Sequence, residues 1–333
     1  MAQLLDYNAS ATFQKRDVSE SFTLSRALEA PVSTMIKKGA KPKATLFEWP
    51  HRVPLTPSDV AIEDGTDLQA AEVVNNSANK AMIQGRTQLS RRGTGVGLIA
   101  QEAIVEYGEK GDDQLAQNRE DMMNQSREDL EVTLLKNGDS VAAVSGTPGK
   151  TRGLVNWIRS ANPGSPDLAV PTQALCAAGQ IVTGKAAATD VTEDNVRAIM
   201  KTIATAKRVR SQTWDCFLTP AMKEVFSNWT RTGDTTASTV PLRRFNAAAD
   251  TNKITLNVKF YESDFGLIRL HPHFSLPSGV HAVFADFGSM QWRPLIRPTM
   301  GKIPFQGGGY KEFVYWAGGL QVDDPQCFGK ITT

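Results

Sequence analysis

Apolar residues recur at helical spacing most clearly over residues 112–136, DDQLAQNREDMMNQSREDLEVTLLK, a stretch without Pro or Gly that closes on Asn137-Gly138. Asn-Gly after the last periodic residue is a helix stop. At 100° per residue, Leu115, Ala116, Met122, Met123, Leu130 and Leu134 share one arc, while Asp113, Glu120, Asp121, Glu128 and Glu131 face the other way. The pattern predicts a single amphipathic helix about 37 Å long, at 1.5 Å per residue. Arg127 and Glu131 are its one clear i,i+4 pair, which leaves the other carboxylates for partners elsewhere. Arg119 falls in the middle of the apolar arc and needs a carboxylate or a carbonyl wherever it is covered.

Ahead of this helix the period changes. Residues 1–30 are polar and aperiodic, an arm that orders only against something else. Four lysines follow (Lys37, Lys38, Lys41 and Lys43), and then Thr45, Phe47 and Trp49 alternate with Leu46 and Glu48 as in a strand. Residues 59–72 are acidic, with Gly65 as a turn point, and residues 80–90 read as a returning strand that contains Arg86 and runs into Arg91 and Arg92. Bases sit at the foot of this excursion and acids near its tip. A two-stranded hairpin so polar is marginal by itself, so this is either a disordered insertion or a hairpin lying on a neighbouring subunit, and the alternation on both limbs favours the second. Residues 97–107 are expected to form a short helix or strand.

Beyond the helix, residues 140–144 are short and apolar, 146–150 form a turn, 152–158 resume with Trp157, and 161–188 show no pattern. Thr192 caps a predicted helix with Val196, Ile199, Met200 and Ile203 on one face. Thr219-Pro220 opens a second, with Met222, Val225, Phe226 and Trp229. Residues 230–252 read as a long exposed loop. Strand alternation then runs through Ile254, Leu256, Val258 and Phe260, with further strands at 267–270, 280–285, 290–296 and 313–316. Turns fall at Pro277-Ser278-Gly279 and Gln306-Gly307-Gly308-Gly309. Helices in the middle and strands towards the end indicate an α+β fold.

Composition narrows the function. The 333 residues carry a net charge of +2, too small to draw the chain to nucleic acid or membranes by charge alone. Cys176, Cys216 and Cys327 are far apart and form no CxxC, which reads as buried thiols in a reducing compartment and not as a disulfide framework or zinc site. No run of about 18 apolar residues or signal peptide is present, so a soluble protein made in the cytoplasm is expected.

Candidate chemistry is thin. Ser145 to Thr151 ends in Gly149-Lys150-Thr151, the GK[ST] of a phosphate-binding loop, but Val144 stands where the first glycine is required and Pro148 removes a backbone donor. Gly93, Gly95 and Gly97 lack the helix-packing glycine of a dinucleotide motif. His271 and His273 have no evident third metal ligand and read as strand-end surface residues. No GxSxG elbow is present, and the long helix carries no Glu-x-x-His. The expectation is no enzyme, no cofactor and no metal, in a chain that spends its residues on an arm, a hairpin and a long helix.

In order and spacing, these segments resemble the major capsid proteins of tailed bacteriophages with the Hong Kong 97-type (HK97-like) fold. Met35-Ile36 and Phe47-Glu48-Trp49 resemble the start of that family's extended loop, and Gln88 to Ser90 its return strand. Arg127-Glu128-Asp129-Leu130-Glu131 is similar to the end of its spine helix, Gly153-Leu154 and Trp157-Ile158 to the segment after it. Asp264-Phe265-Gly266 and Trp292-Arg293-Pro294 resemble its late strands. Residues 161–189 match nothing in the pattern.

The resemblance implies an N-terminal arm (1–34), an extended β-hairpin loop (35–92), a peripheral domain (93–150 and 287–333) with its spine helix at 112–136, and an axial domain (151–286). It implies pentamers and hexamers closing into an icosahedral virion shell around double-stranded DNA, assembled in the host cytoplasm. Scaffold and portal proteins, and in some heads a cement protein, would be partners; DNA contact would be weak and non-specific. The positions expected at subunit contacts are Lys37, Lys38, Lys41, Lys43, Phe47, Trp49, Arg86, Arg91, Arg92, Asp113, Arg119, Glu120, Glu128 and Glu131, with the two aromatic residues as anchors. The alternatives are an encapsulin-like nanocompartment shell protein and a P-loop-like nucleotide-binding enzyme using Gly149, Lys150 and Thr151.

Overall fold

The computed structural model describes residues 28–59, 61–68, 77–98, 114–208, 212–229, 258–304 and 309–333. Most of the predicted arm, Asp113, most of 97–107, the 230–252 loop, Ile254 and Leu256, and Gln306 to Gly308 lie outside them.

In chain order the strands are β1 (Lys37–Lys38), β2 (Leu46–Arg52), β3 (Lys80–Arg86), β4 (Gln88–Gly97), β5 (Ile181–Val182), β6 (Gln212–Leu218), β7 (Phe260–Ser263), β8 (Gly266–Pro272), β9 (Val280–Ala285), β10 (Met290–Ile303), β11 (Gly309–Val322) and β12 (Gly329–Thr332). The α-helices are Pro31–Met35, Gln114–Leu135, Leu154–Trp157, Glu193–Lys207 and Pro220–Trp229. Three sheets result: β1-β10-β11-β4, β5-β12-β9-β6-β8-β7, and the two-stranded β2-β3.

The chain divides into two compact units. The larger comprises Glu29–Arg91, Arg127–Thr299 and Tyr315–Thr333 and contains the whole six-stranded sheet. Period-2 alternation in β9 sends Val283 and Ala285 into one apolar cluster and Ala282 and Phe284 into another, while Val280, beyond a register shift against β12, joins the first. β6 does the same, with Phe217 on one face and Trp214, Cys216 and Leu218 on the other. A strand buried on both faces shows an almost unbroken apolar run; 280–285 does, whereas Gln212, Thr213 and Asp215 interrupt the run in 212–218 and hide it.

One face of this sheet is covered by the two capped helices. Glu193–Lys207 buries Val196, Ile199, Met200 and Ile203, and Asn195 Oδ1 accepts from the Thr192 amide at 3.1 Å. Pro220–Trp229 buries Met222, Val225 and Phe226, with the Thr219 hydroxyl accepting from the Met222 amide at 3.3 Å. The other face meets Leu134, Leu135, Trp157 and Phe328. Residues 161–190 hold three 3₁₀ turns and the short β5, each too brief to leave a periodic signature.

The predicted long helix is observed as Gln114–Leu135. In the smaller unit, which holds Arg92–Ser126 and Met300–Val314, its buried positions are Leu115, Met122 and Ser126, a stripe narrower than the sequence arc. Ala116, placed on that arc, is exposed. In the larger unit its last turns are covered on several sides at once, since Glu131, Thr133, Leu134 and Leu135 are all buried.

β10 also carries a guarded edge. The Trp292 carbonyl accepts from the Gly39 amide at 2.8 Å, so the backbone groups of residues 294, 296 and 298 point to the same side. Pro294 and Pro298 remove two donors from that side, which resists zipping by a foreign strand.

Gly319 shows how tightly the hairpin meets the larger unit's core: a Cβ there would lie 2.6 Å from Phe47 Cε1 and 2.7 Å from the Arg86 carbonyl oxygen. Gly319→Ala is expected to destabilise the subunit by about 1–3 kcal/mol, the usual cost of overpacking, read by chemical denaturation. An unchanged midpoint would show that the hairpin root is loosely seated.

Candidate functional site

The charged and aromatic positions expected at contacts converge on the hairpin root and the spine helix. β2 and β3 pair antiparallel from Leu46↔Arg86 to Arg52↔Lys80. Alternation buries Phe47, Trp49 and His51 on β2 and Ile83 and Gly85 on β3. Phe47 stacks on Trp49 at 5.6 Å, Trp49 meets Trp157 at 5.8 Å, and the Arg293 guanidinium lies 5.1 Å from the centre of the Phe47 ring. Phe47 and Trp49 are therefore core residues of their own chain. As anchors for a neighbour they are corrected: the strand period that made them look like an exposed stripe turns them inward. Arg86 is likewise engaged at home, donating to both carboxylate oxygens of Asp167 at 2.5 and 3.0 Å.

Glu131 is the second correction. Expected at a contact between subunits and as the i,i+4 partner of Arg127, it is instead completely buried within its own chain. Its carboxylate accepts from the amides of Val32 at 2.8 Å and Ser33 at 2.7 Å, at the start of the helix Pro31–Met35, and from His273 Nε2 at 3.0 Å. His273 Nδ1 accepts from the Ser275 amide at 3.1 Å, so Nε2 carries the proton that points at Glu131. His273 is fully buried and half-buried His271 pairs with Asp215 at 2.9 Å, so neither is the surface residue expected. The sequence holds the partners, but separations of about a hundred residues conceal them.

Arg119 obtains the carboxylate its position demanded. Its Nε and Nη2 donate to Glu312 at 2.5 and 2.7 Å, within the smaller unit. Glu120 is exposed and Glu128 half-buried. Lys37, Lys38, Lys41 and Lys43 are all exposed and make no ion pair among the described residues; Arg91 and Arg92 are exposed too. Of the expected contact residues, the structure thus leaves the lysine foot, Glu120 and the two arginines facing outward, and takes Phe47, Trp49, Arg86, Arg119 and Glu131 for internal duties.

The nucleotide-loop alternative fails on context. Val144 and Thr147 bridge across Ser145-Gly146, with Gly146 at φ +81°, and Val141 pairs with Lys150. Thr151 is buried with its hydroxyl accepting from the Leu320 amide at 3.2 Å, and the next helix is only Leu154–Trp157. This is a turn, with no strand-to-helix phosphate cradle. All three cysteines are buried and unpaired, as expected, and burial pushes the Cys176 thiol up to about 12. Among the described residues no group of three or more His, Cys, Asp or Glu could hold a metal, and no helix is long and apolar enough to cross a membrane.

Comparison with known proteins supplies what local geometry does not. Residues 6–333 match the family model of the SU10 major capsid protein. No curated protein matches the sequence. Among solved structures, the chain is similar to the capsid of cyanophage P-SCSP1u (12% identity, 97% of this chain and 93% of that one, TM-score 0.63). It is similarly related to a Mycobacterium phage Bobi chain (11% identity, 99% of each chain, TM-score 0.60) and to the cyanophage Pam1 capsid (12% identity, 99% of each chain, TM-score 0.61). These likenesses establish a shared fold, the HK97-like α+β architecture.

Two predictions follow from the charges around the spine. Glu131→Ala leaves His273 and two buried amides without their acceptor and is expected to cost about 3–5 kcal/mol, with faster hydrogen exchange at Val32 and Ser33. Burial, reinforced by the Lys150 charge, pulls the Lys136 ammonium down to about 8. Between pH 8 and the ordinary lysine value the unfolded chain binds more protons, so this group makes stability rise with pH across that window and costs stability below it. Lys136→Met is expected to raise the melting temperature at pH 7, with the difference narrowing by pH 10.

Proposed function

Because the chain belongs to the SU10 major capsid protein family, a shell-forming protein of the phage head with the HK97-like fold, we propose that it assembles through pentamers and hexamers into an icosahedral shell around double-stranded DNA. The observation that carries this is the family match, which runs over nearly the whole chain. A nanocompartment shell is not favoured, because the similar solved structures include phage capsids.

The assignment of parts follows the same reading. Residues 35–92 serve as the extended loop, Gln114–Leu135 as the spine, and the sheet with its two capped helices as the axial domain. Scaffold, portal and cement proteins are the expected partners of assembly in the host cytoplasm. Since the aromatic residues of the hairpin root serve the subunit's own core, contacts between copies fall to the exposed lysine foot and to the tip. Each such contact is weak alone; closure multiplies them, so a subunit leaves only by breaking several together.

The tip test is direct. Val53 and Asn79 close the described hairpin, with the Val53 amide donating to the Asn79 carbonyl at 3.0 Å. Removing residues 56–76 and joining the ends with a short Gly-Ser turn keeps the β2–β3 ladder intact. That variant is expected to stay folded and to form no closed shells by negative-stain microscopy, where the unaltered chain does. Normal shells would remove the tip from the mechanism. Changing Lys37, Lys38, Lys41 and Lys43 to Gln is expected to slow assembly and to flatten its dependence on salt; unchanged assembly rates at low salt would assign the foot to solvent.

A further inference from the structure

A cavity of about 360 Å³ in the larger unit is lined by residues from separate stretches of chain, among them Arg159, Ser160, Thr183, Ser278, Lys330 and Thr332. Two cations and several hydroxyls face it, and no Asp or Glu side chain does. Arg159 is 8% exposed. Its Nη1 reaches Asp139 Oδ2 at 3.1 Å, but Nε and Nη2 are buried with no hydrogen-bond partner among the described residues.

Asp139 cannot neutralise what surrounds it. The same carboxylate accepts from Arg152 Nε at 2.6 Å and from the Ser140 amide at 2.7 Å. Arg152 is itself buried with its guanidinium 4.5 Å from the centre of the Trp157 ring; Nη2 donates to the Leu168 carbonyl, and Nη1 has no hydrogen-bond partner among the described residues. Lys330 Nζ donates to the Val155 carbonyl at 3.0 Å and has no carboxylate. Burial pulls the Lys330 ammonium below its ordinary value, and the Arg159 charge pushes the same way. Arg152 and Arg159 therefore share the Asp139 carboxylate, with the Asp167 charge also acting on Arg152, and Lys330 makes no ion pair among the described residues. Buried guanidinium nitrogens without acceptors are costly, and such a surplus marks a place where an acceptor belongs.

The chain displays a matching acceptor elsewhere. In the hairpin tip, Asp59, Glu63 and Asp64 are exposed and make no ion pair among the described residues, and Ile62 and Leu68 beside them are 66% and 75% exposed. Acids with apolar neighbours held in water form a segment suited to a cationic recess rimmed by hydroxyls. We propose that the Arg159–Lys330 cavity is an oxyanion receptor, and that in the shell it takes a carboxylate from the hairpin tip of a second copy. The occupant rests on the shell reading; the receptor does not.

Two arms test these separately. Unassembled full-length subunit is titrated with inorganic phosphate at constant ionic strength, with chloride as control, and followed by melting temperature. A saturable rise is expected, lost in Lys330→Met and kept in Lys330→Arg. No rise, or an equal rise in Lys330→Met, overturns the receptor even if shells form. In the second arm Asp59, Glu63 and Asp64 are changed to Asn, Gln and Asn. Shell yield is expected to fall about tenfold, as a multivalent contact loses one of its members, and to fall equally in Lys330→Met. Full shell yield from the tip variant, with phosphate binding intact, overturns the second copy as occupant and leaves a free phosphate as the ligand.

Discussion

A carboxylate shut away from water must find its donors inside the protein, and Glu131 finds them in two distant places. The amides of Val32 and Ser33 come from the short helix before the hairpin, and the imidazole of His273 comes from the end of β8. The spine helix, the start of the hairpin and the edge of the six-stranded sheet's connection are thereby tied at one atom group. Such an arrangement adds less to net stability than an apolar substitute could, because two polar groups have been desolvated. Its value lies in register. A helix turned by one residue, or a hairpin start displaced by a few ångströms, would leave a buried charge unanswered.

Around that tie the larger unit is built in layers. β6 and β9 run between two apolar clusters, and their alternate residues serve one or the other. The hairpin root enters the first cluster through Phe47, Trp49 and Ile83, with Gly85 and Gly319 small enough to admit the Phe47 ring. A root fixed in its own core gives the rest of the hairpin a firm base. Left outside are the lysines at the foot and the carboxylates at the tip, the latter beside exposed Ile62 and Leu68. The subunit thus folds on hydrophobic burial without drawing on the charged foot and tip.

The sequence was most legible where one period met one environment. Val196, Ile199, Met200 and Ile203 repeat at helical spacing behind Thr192, and the observed helix starts and ends accordingly. Gln114–Leu135 was equally plain from its length and its Asn-Gly stop. β6 was missed because Gln212, Thr213 and Asp215 break both the alternation and the apolar run of a strand buried on two faces, and residues 161–188 because turns of three residues have no period to detect. The contact residues were the least legible. Phe47 and Trp49 look the same in sequence whether their strand faces a neighbour or the chain's own Trp157, and Glu131 reads as one more acid on an acidic helix until His273 arrives beside it.

What the amino-acid sequence determined by itself is therefore local and periodic: the helices and their caps, most of the strands, the hairpin with bases at its foot and acids at its tip, and the ordered set of segments that marks the capsid family. Tertiary structure alone decided which charged and aromatic residues of the hairpin root and the long helix are inside. That choice depends on partners that are brought together only by folding, such as Glu131 with His273, Arg119 with Glu312, and Arg159 with too little of Asp139. Desolvation makes each of these pairings compulsory, and a one-dimensional pattern carries no measure of desolvation.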